Sequence, residues 1–262
     1  QQRKAALEAT KYNIHLRTFY LDRDKFDDSQ SEAWAAGGWV GLKTGYFRNR
    51  LSLGATGYLS MPVYAPDDKD GTLLLQPGQD GYAVIGEIYG DFRITDQVHA
   101  NLGRKAYDTP YINRNDVRMS PNTFEAYSIT GLHGGQDGAA EWRWGVGYFD
   151  KIKERNSDEF VSMSEDAGAD VDRGVYAAGA NYKKGDFSLG AINYYSDDII
   201  NIFYTEARYA VPLSEKTRLQ FAAQYTDQQS TGDDLLNGSD FSADQYGLKG
   251  ELAWGPALFS LA

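Results

Sequence analysis

The stretch EWRWGVGY, residues 141–148, shows the pattern on which the fold depends. Its even positions carry Trp, Trp, Val and Tyr, whereas its odd positions carry Glu, Arg, Gly and Gly. Side chains alternate between two faces only in a β-strand, because the strand has a period of two residues. The stretch therefore predicts a strand with one apolar face and one small or polar face.

The same alternation recurs along the chain. It is clear in segments 12–20, 203–211, 218–225 and 246–254. Three further segments, 32–42, 124–131 and 175–182, are ambiguous, because small residues lie on both of their faces. The 19 Tyr, 12 Phe, 5 Trp and 28 Gly of the 262 residues favour strands and tight turns over helices. We predict an all-β protein.

The links between these segments alternate in length. Short turns are expected at 44–49, 93–97, 133–138, 183–186, 212–216 and 254–256. Long polar links are expected at 22–31, 60–81, 107–122, 152–173 and 227–242, and the short link 196–198 breaks the alternation. This pattern is typical of an antiparallel up-and-down meander with one compact end. About twelve strands result, with a thirteenth beginning at Ala257, and all seven prolines are predicted to lie in links, since proline cannot donate a ladder hydrogen bond.

Strands of roughly ten residues with one apolar face and one polar face are typical of an outer-membrane barrel. In a water-soluble barrel the apolar face fills the interior and charged residues cover the outside. Here the face that carries the glycines, alanines and glutamines also carries Arg17, Arg143, Arg208, Arg218 and Lys249. That mixture suits a wet lumen, so we predict a transmembrane antiparallel up-and-down β-barrel in which residues 1–262 form a single domain. A soluble or surface-exposed β-sheet module for binding or adhesion is the alternative.

Composition excludes several classes of function. The net charge of -11 argues against a nucleic-acid surface, which needs a basic face. The chain has no cysteine, and it lacks the G-x-S-x-G nucleophile motif, so we expect no enzyme. The three histidines, His15, His99 and His133, lack metal-ligand spacing, and we expect no metal and no cofactor. The acidic runs 67–70 and 165–172 are explained as well by solvated loops as by divalent-cation binding.

The segment NLGRKAYDTPYINRNDVRMSPNTFEAY, residues 101–127, resembles the OprD family of outer-membrane porins. It contains a Gly-Arg-Lys strand end, a proline and a D-x-R-x-x-P-x-x-F block. The segment SEAWAAGGWVGLKTGYF, residues 31–47, is similar to the second strand of that family. The resemblance implies a barrel of about eighteen strands in the bacterial outer membrane, a monomer or loose trimer in contact with outer-membrane lipid and lipopolysaccharide. It also implies passage of small nutrients such as carboxylates or basic amino acids, through a channel that the loop 107–122 narrows.

Charged side chains of this loop and of the polar strand faces are the expected pore-lining and substrate-binding residues. They are Arg17, Arg104, Lys105, Asp108, Arg114, Asp116, Arg118, Arg143, Arg208, Arg218 and Lys249. We expect Arg114 to face the pore, and for Asp116 and Arg118 a pore-facing role and a role in anchoring the loop stay equally open. The arginines of the wall either form a basic track for carboxylates or pair across neighbouring strands with Glu87, Asp91, Glu206 and Glu251.

The end of the sequence carries one further expectation. The segment ALFSLA begins a thirteenth strand and stops before an aromatic end, whereas membrane barrels close strand to strand. We therefore expect an incomplete barrel that lacks about five strands, in which the first strand, near residues 11–21, has an unpaired outer edge. Pairing of that strand with residues 244–262 would contradict this expectation.

Overall fold

The fold was determined as a computed structural model that describes residues 2–262. It is all-β, as the alternation predicts. The strands are β1 (Lys11–Asp24), β2 (Gln30–Lys43), β3 (Leu51–Tyr64), β4 (Tyr82–Thr95), β5 (Val98–Lys105), β6 (Thr123–Gly134), β7 (Glu141–Lys153), β8 (Val161–Ser162), β9 (Val175–Lys184), β10 (Phe187–Ser196), β11 (Ile200–Ser214), β12 (Thr217–Ser230), β13 (Ser242–Trp254) and β14 (Ala257–Leu261). The helices α1 (Gln2–Glu8) and α2 (Met163–Asp166) are short. No helix within residues 2–262 is both long and apolar enough to span a membrane.

The strands follow one another in the sheet in sequence order, from β1 to β7 and then from β9 to β14, and the short β8 pairs with β7. The register of the first hairpin runs from Lys11 opposite Lys43 to Asp24 opposite Gln30. Within residues 2–262, β1 pairs with β2 alone and β14 pairs with β13 alone. The predicted meander and the predicted unpaired edge of β1 are thus confirmed, as is the strand that begins at Ala257.

The lengths of the links confirm most of the predicted alternation. All six short turns occur where they were expected, and β8 and α2 lie within the long link after β7. The expected long link at 22–31 is wrong, because β1 and β2 stay paired to Asp24 and Gln30 and leave only 25–29 between them. Polar residues at the ends of these strands continue the ladder, since backbone pairing does not require apolar side chains.

The prediction that all prolines lie in links is also wrong for two of them. Pro62 lies within β3 and Pro212 lies within β11. Each lies beside an irregularity of its ladder: the register shifts at Trp34 and Ala35, opposite Pro62, and between Pro212 and Ser214. A residue without an N–H group is tolerated where the ladder is already interrupted, which is why proline occurs at bulges near strand ends.

The chain forms two compact units. The first unit comprises residues 2–94, 100–127 and 149–162. Its buried cluster contains Ala33, Ala35, Leu74, Leu75 and Met119, from β2 and from the two long links that follow β3 and β5. Ala33 and Ala35 show which face of β2 is covered, a question that the sequence left open. Their small side chains leave room for the two links to pack on this face. The opposite face of β2 carries large exposed side chains, among them Trp34, Val40 and Leu42.

The second unit comprises residues 95–99, 128–148 and 163–262. Strands β12 and β13 show the predicted division into two faces. Phe221, Tyr246 and Leu248 are exposed by 50%, 76% and 77%, although they are large and apolar. The intervening positions of β13 carry charged pairs such as Lys249 and Glu251. The large apolar side chains of this face are exposed, as they are on the outside of a barrel that contacts lipid.

Candidate constriction site

The link between β5 and β6, residues 106–122, is held by hydrogen bonds between its own backbone groups. The backbone N–H of Arg114 donates to Tyr107 O at 2.8 Å, and the N–H of Asn122 donates to Arg114 O at 2.7 Å. Ile112 and Met119 are buried. The loop thus doubles back on itself at Arg114 and keeps two apolar anchors, so it has a defined path. We call residues 106–122 the constriction loop, after the role that the sequence predicts for them.

An ion pair joins the constriction loop to β1. The guanidinium Nη1 of Arg17 lies 2.7 Å from Asp116 Oδ1, and the same nitrogen donates to the backbone carbonyl of Arg118. The guanidinium also lies over the Trp39 ring, 4.7 Å from its centroid. The His15 ring stacks on Trp39 with the centroids 4.1 Å apart. Arg17 is therefore fixed against the strands by Trp39, and it holds the loop through Asp116 and the carbonyl of Arg118. We call the face of the strands that carries these charged side chains the wall.

The second contact of the constriction loop is made with the link between β3 and β4, residues 65–81. Arg118 Nε donates to Thr72 O at 3.0 Å, and Met119 packs beside Leu74 and Leu75. Asp116 and Arg118 thus both have the contacts that an anchoring role requires. Arg114 is different, because it pairs with Asp108 of the same loop at 2.7 Å and both side chains stay about half exposed.

Charged side chains gather beside the loop on the polar face of β2 to β5. Lys43 Nζ lies 2.9 Å from Asp91 Oδ2, and the hydroxyl of Tyr46 donates to the same oxygen at 2.8 Å. Tyr46 lies in a turn, where burial and then the bond to Asp91 raise the pKa of its hydroxyl. The hydroxyl of Tyr58 donates to Glu87 Oε1 at 2.7 Å. Both carboxylates are therefore held in place by phenols, which fixes two negative charges on the wall.

Lys105, at the end of β5, lies among these charges. Its ammonium interacts electrostatically with Lys43, Glu87, Asp91 and Arg114. It donates a hydrogen bond of 3.2 Å to the neutral amide of Asn101 and lies 5.2 Å from the centroid of the Tyr89 ring. Cations and anions thus face the same small region from the wall and from the loop.

The neighbouring Arg104 lies in different surroundings. Its Nε pairs with Glu125 at 2.9 Å, and its guanidinium lies 4.1 Å from the centroid of the Phe160 ring. Gly103 has a φ of 112°, a conformation that favours glycine, and a Cβ there would lie 2.4 Å from Ile88 O. Two adjacent candidates from the sequence thus have separate partners, Arg104 with Glu125 and Phe160 and Lys105 with the charged group beside the loop.

The basic candidates of the second unit all have carboxylate partners. Arg143 pairs with Glu141, Arg208 with Glu206 and Lys249 with Glu251, each at 2.7 to 2.8 Å. In each pair the two residues belong to the same strand and are two positions apart, so their side chains share a face. Arg218 pairs with Asp186 at 2.9 Å, from the neighbouring turn.

The expected pairing of the wall arginines across neighbouring strands is therefore wrong in most of its partners. Glu206 does bind an arginine, Arg208, but along its own strand. Glu87 is held by Tyr58, Asp91 by Lys43 and Tyr46, and Glu251 by Lys249. Arg17 finds its carboxylate on the constriction loop. An alternating pattern gives the face of each residue but not the partner that it reaches.

Sequence reasoning missed Lys43, Tyr58 and the pair of Lys69 with Glu32. Lys43 follows Trp39 and Gly41 at alternate positions of β2, so it shares their face. That alternation was the signal that could have placed Lys43 among the site residues. Lys69 Nζ lies 2.6 Å from Glu32 Oε2, and this bond raises the pKa of Lys69. The pair joins two segments 37 residues apart, which no local pattern indicates.

The fold is of the porin type. It is a meander of antiparallel strands with an exposed apolar face and a charged opposite face, and a bonded loop lies on the charged face. The family described as outer membrane porin, OprD family, matches residues 4–262. The chain belongs to this family, and its place is the bacterial outer membrane. The resemblance predicted from residues 101–127 and 31–47 is confirmed. No curated protein sequence matches the chain.

Solved structures agree in fold. The chain is similar to OccAB3 of Acinetobacter baumannii, with a TM-score of 0.82 and 19% identity over 97% of this chain and 65% of that one. A BenF-like porin from Pseudomonas fluorescens Pf-5 gives a TM-score of 0.82 and 20% identity over 97% and 66%. OpdK of Pseudomonas aeruginosa, solved with vanillate, gives 0.79 and 20% over 97% and 66%. The chain thus spans about two thirds of the length of these structures.

Proposed function

We propose that the protein is an outer-membrane channel through which small polar nutrients, such as carboxylates or amino acids, diffuse, and that the constriction loop narrows the pore. The proposal includes no catalytic step. Membership of the porin family favours this function over a soluble or surface-exposed binding module. In the membrane the protein acts as a monomer or loose trimer surrounded by lipid and lipopolysaccharide.

The observation that carries the proposal is the attachment of the constriction loop to the charged face of the wall. The Arg17–Asp116 ion pair brings the loop to β1, and Lys105 lies within electrostatic reach of Arg114 on the loop and of Lys43, Glu87 and Asp91 on the wall. A loop that crosses a water-filled channel needs polar side chains, and a ring of charges sets the selectivity of such a channel.

The charged group also suggests how a solute is handled. A carboxylate that passes the loop meets the cations Lys43, Lys105 and Arg114, whereas an ammonium group meets Glu87 and Asp91, whose phenol partners hold them in place. A zwitterion can use both sets at once. Among the similar structures, OpdK was solved with vanillate, a small carboxylate, which supports carboxylates as one solute class here.

The test is reconstitution of the purified protein in planar lipid bilayers and in liposomes. We expect discrete single-channel steps, and faster liposome swelling with benzoate or arginine than with an uncharged sugar of similar size. Conductance indistinguishable from that of protein-free bilayers, from protein that shows heat-modifiable migration on a gel, would overturn the channel. Equal swelling rates for all three solutes would overturn the role of the charged group while leaving the channel intact.

A further inference from the structure

Lys153, at the end of β7, is a lysine with a relative exposure of 0% that no part of the proposed conduction path uses. Its ammonium donates to the backbone carbonyls of Glu154 at 2.8 Å and Ser157 at 3.3 Å. The ammonium also lies 5.7 Å from the centroid of the Tyr58 ring and 5.9 Å from that of Tyr82. Burying an ammonium is costly unless it is bonded, so these contacts fix the segment that follows β7, residues 154–160.

That segment is bonded to the constriction loop through Arg155. The backbone carbonyl of Arg155 accepts from the Tyr82 hydroxyl at 2.7 Å and from the Ser120 hydroxyl at 2.9 Å. The backbone N–H of Arg155 donates to Asn122 Oδ1 at 2.8 Å. Both polar groups of one peptide residue thus bind the C-terminal end of the constriction loop, where Ser120 is buried.

The same segment also reaches the link between β3 and β4. Gln76 Nε2 donates to Asp158 Oδ1 at 2.5 Å, and Arg118 of the constriction loop bonds to Thr72 of that link. Residues 65–81, 106–122 and 154–160 are therefore bonded to one another in a closed set within the first unit. The buried ammonium of Lys153 holds residues 154–160 in place through its hydrogen bonds to the carbonyls of Glu154 and Ser157.

We propose that Lys153 is the positioning residue of the constriction loop: by holding residues 154–160 it presents the Arg155 peptide to Ser120 and Asn122 and so keeps the loop from moving out of the pore. The inference rests on the proposed channel for its functional consequence, and on the contacts within the first unit for its structural one. Lys153 itself touches no solute in this scheme.

Two variants separate this role from a general loss of structure. Lys153→Met keeps the volume but leaves the carbonyls of Glu154 and Ser157 without their donor. The double variant Tyr82→Phe with Ser120→Ala keeps Lys153 and removes only the two hydroxyls that reach Arg155. Lys151→Met is the matched control, because it removes the same charge two residues earlier on the same strand without breaking this set of bonds.

The first measurement does not depend on conduction. Trypsin cleaves after Arg114 and Arg118, and the fragments can be identified by mass. We expect cleavage at these sites to be about tenfold faster in Lys153→Met and in the double variant than in wild type. Lys153→Met removes the two hydrogen bonds that hold residues 154–160, and the double variant removes three, two to the Arg155 carbonyl and one between Tyr82 and Ser120. Lys151→Met should be cleaved at the wild-type rate.

The second measurement is single-channel recording of the same proteins, after heat-modifiable migration has shown that each is folded. We expect Lys153→Met and the double variant to show several times more transitions between current levels than wild type and Lys151→Met. Wild-type cleavage and wild-type current in folded Lys153→Met, or in the folded double variant, would overturn the inference, as would an equal effect of Lys151→Met. If wild type conducts no current, the channel proposal fails, and faster cleavage in the two variants would still support the positioning role of Lys153.

Discussion

Arg17 and Asp116 lie 99 residues apart in the sequence and form an ion pair of 2.7 Å that joins the first strand to the constriction loop. Both side chains are largely shielded, with 18% and 28% of their surface exposed. Water screens the attraction less here than on an open surface, and removal of one partner would leave the other charge shielded and unpaired, which is costly. It therefore constrains where the loop lies.

A double-mutant cycle measures that constraint. Arg17→Ala and Asp116→Ala should each raise the rate at which the loop opens, and the double variant should add little to either, with a coupling of about 1 to 2 kcal/mol. Hydrogen exchange of the loop amides gives the opening free energies. The control is Asp108→Ala, which breaks only the half-exposed pair with Arg114 inside the loop, and fully additive effects at Arg17 and Asp116 would contradict a direct constraint.

Deleting residues 109–117 should raise single-channel conductance by about twofold and blunt discrimination between charged and neutral solutes. The deletion removes Ile112 and the Arg17 partner Asp116, but it keeps Met119 and Ser120, whose burial anchors the remaining end. Reconstituted bilayers give the conductance. A folded deletion protein with the wild-type conductance would mean that the loop does not narrow the pore.

Charge selectivity should depend more on Lys105 than on the arginines of the second unit. Lys105→Gln should lower the ratio of anion to cation permeability by about twofold, because the ammonium is hydrogen-bonded to the neutral amide of Asn101, and Glu87 and Asp91 act on it only through space. Arg143→Gln should change the ratio little, since Glu141 lies 2.7 Å from Arg143 and largely cancels its field. Reversal potentials in a salt gradient measure both. A larger shift for Arg143→Gln than for Lys105→Gln would instead favour the basic track along the wall.

The exposed apolar face should be the one in contact with lipid. Val146→Arg should destabilise the protein by about 2 to 4 kcal/mol if its site lies near the bilayer midplane. Gly145→Arg should cost less and alter conductance more, because a Cβ at Gly145 meets Thr130 Cγ2 only at the ordinary contact distance of 3.4 Å. Reversible unfolding by urea in lipid vesicles compares the two. A greater loss of stability for Gly145→Arg would reverse the assignment of the faces.

Loop contacts were predictable only in part. The block of Asp116, Arg118, Pro121 and Phe124 identifies the constriction loop in the sequence. It left open whether Asp116 and Arg118 anchor the loop or face the pore. Their partners, Arg17 and Thr72, belong to segments far away in sequence, so no local pattern contains them.

The sequence by itself determined most of the strands, the faces of those with a clear alternation, the order of the meander and the family, because a period of two residues and the residues of the turns are local properties of the chain. Only the tertiary structure decided which charges meet. Lys43 with Asp91, Tyr58 with Glu87 and Lys153 with the carbonyls of residues 154 and 157 depend on the stagger of strands and on the path of long links. Long polar side chains can reach several partners from one face, and the three-dimensional packing of the loops selects among them.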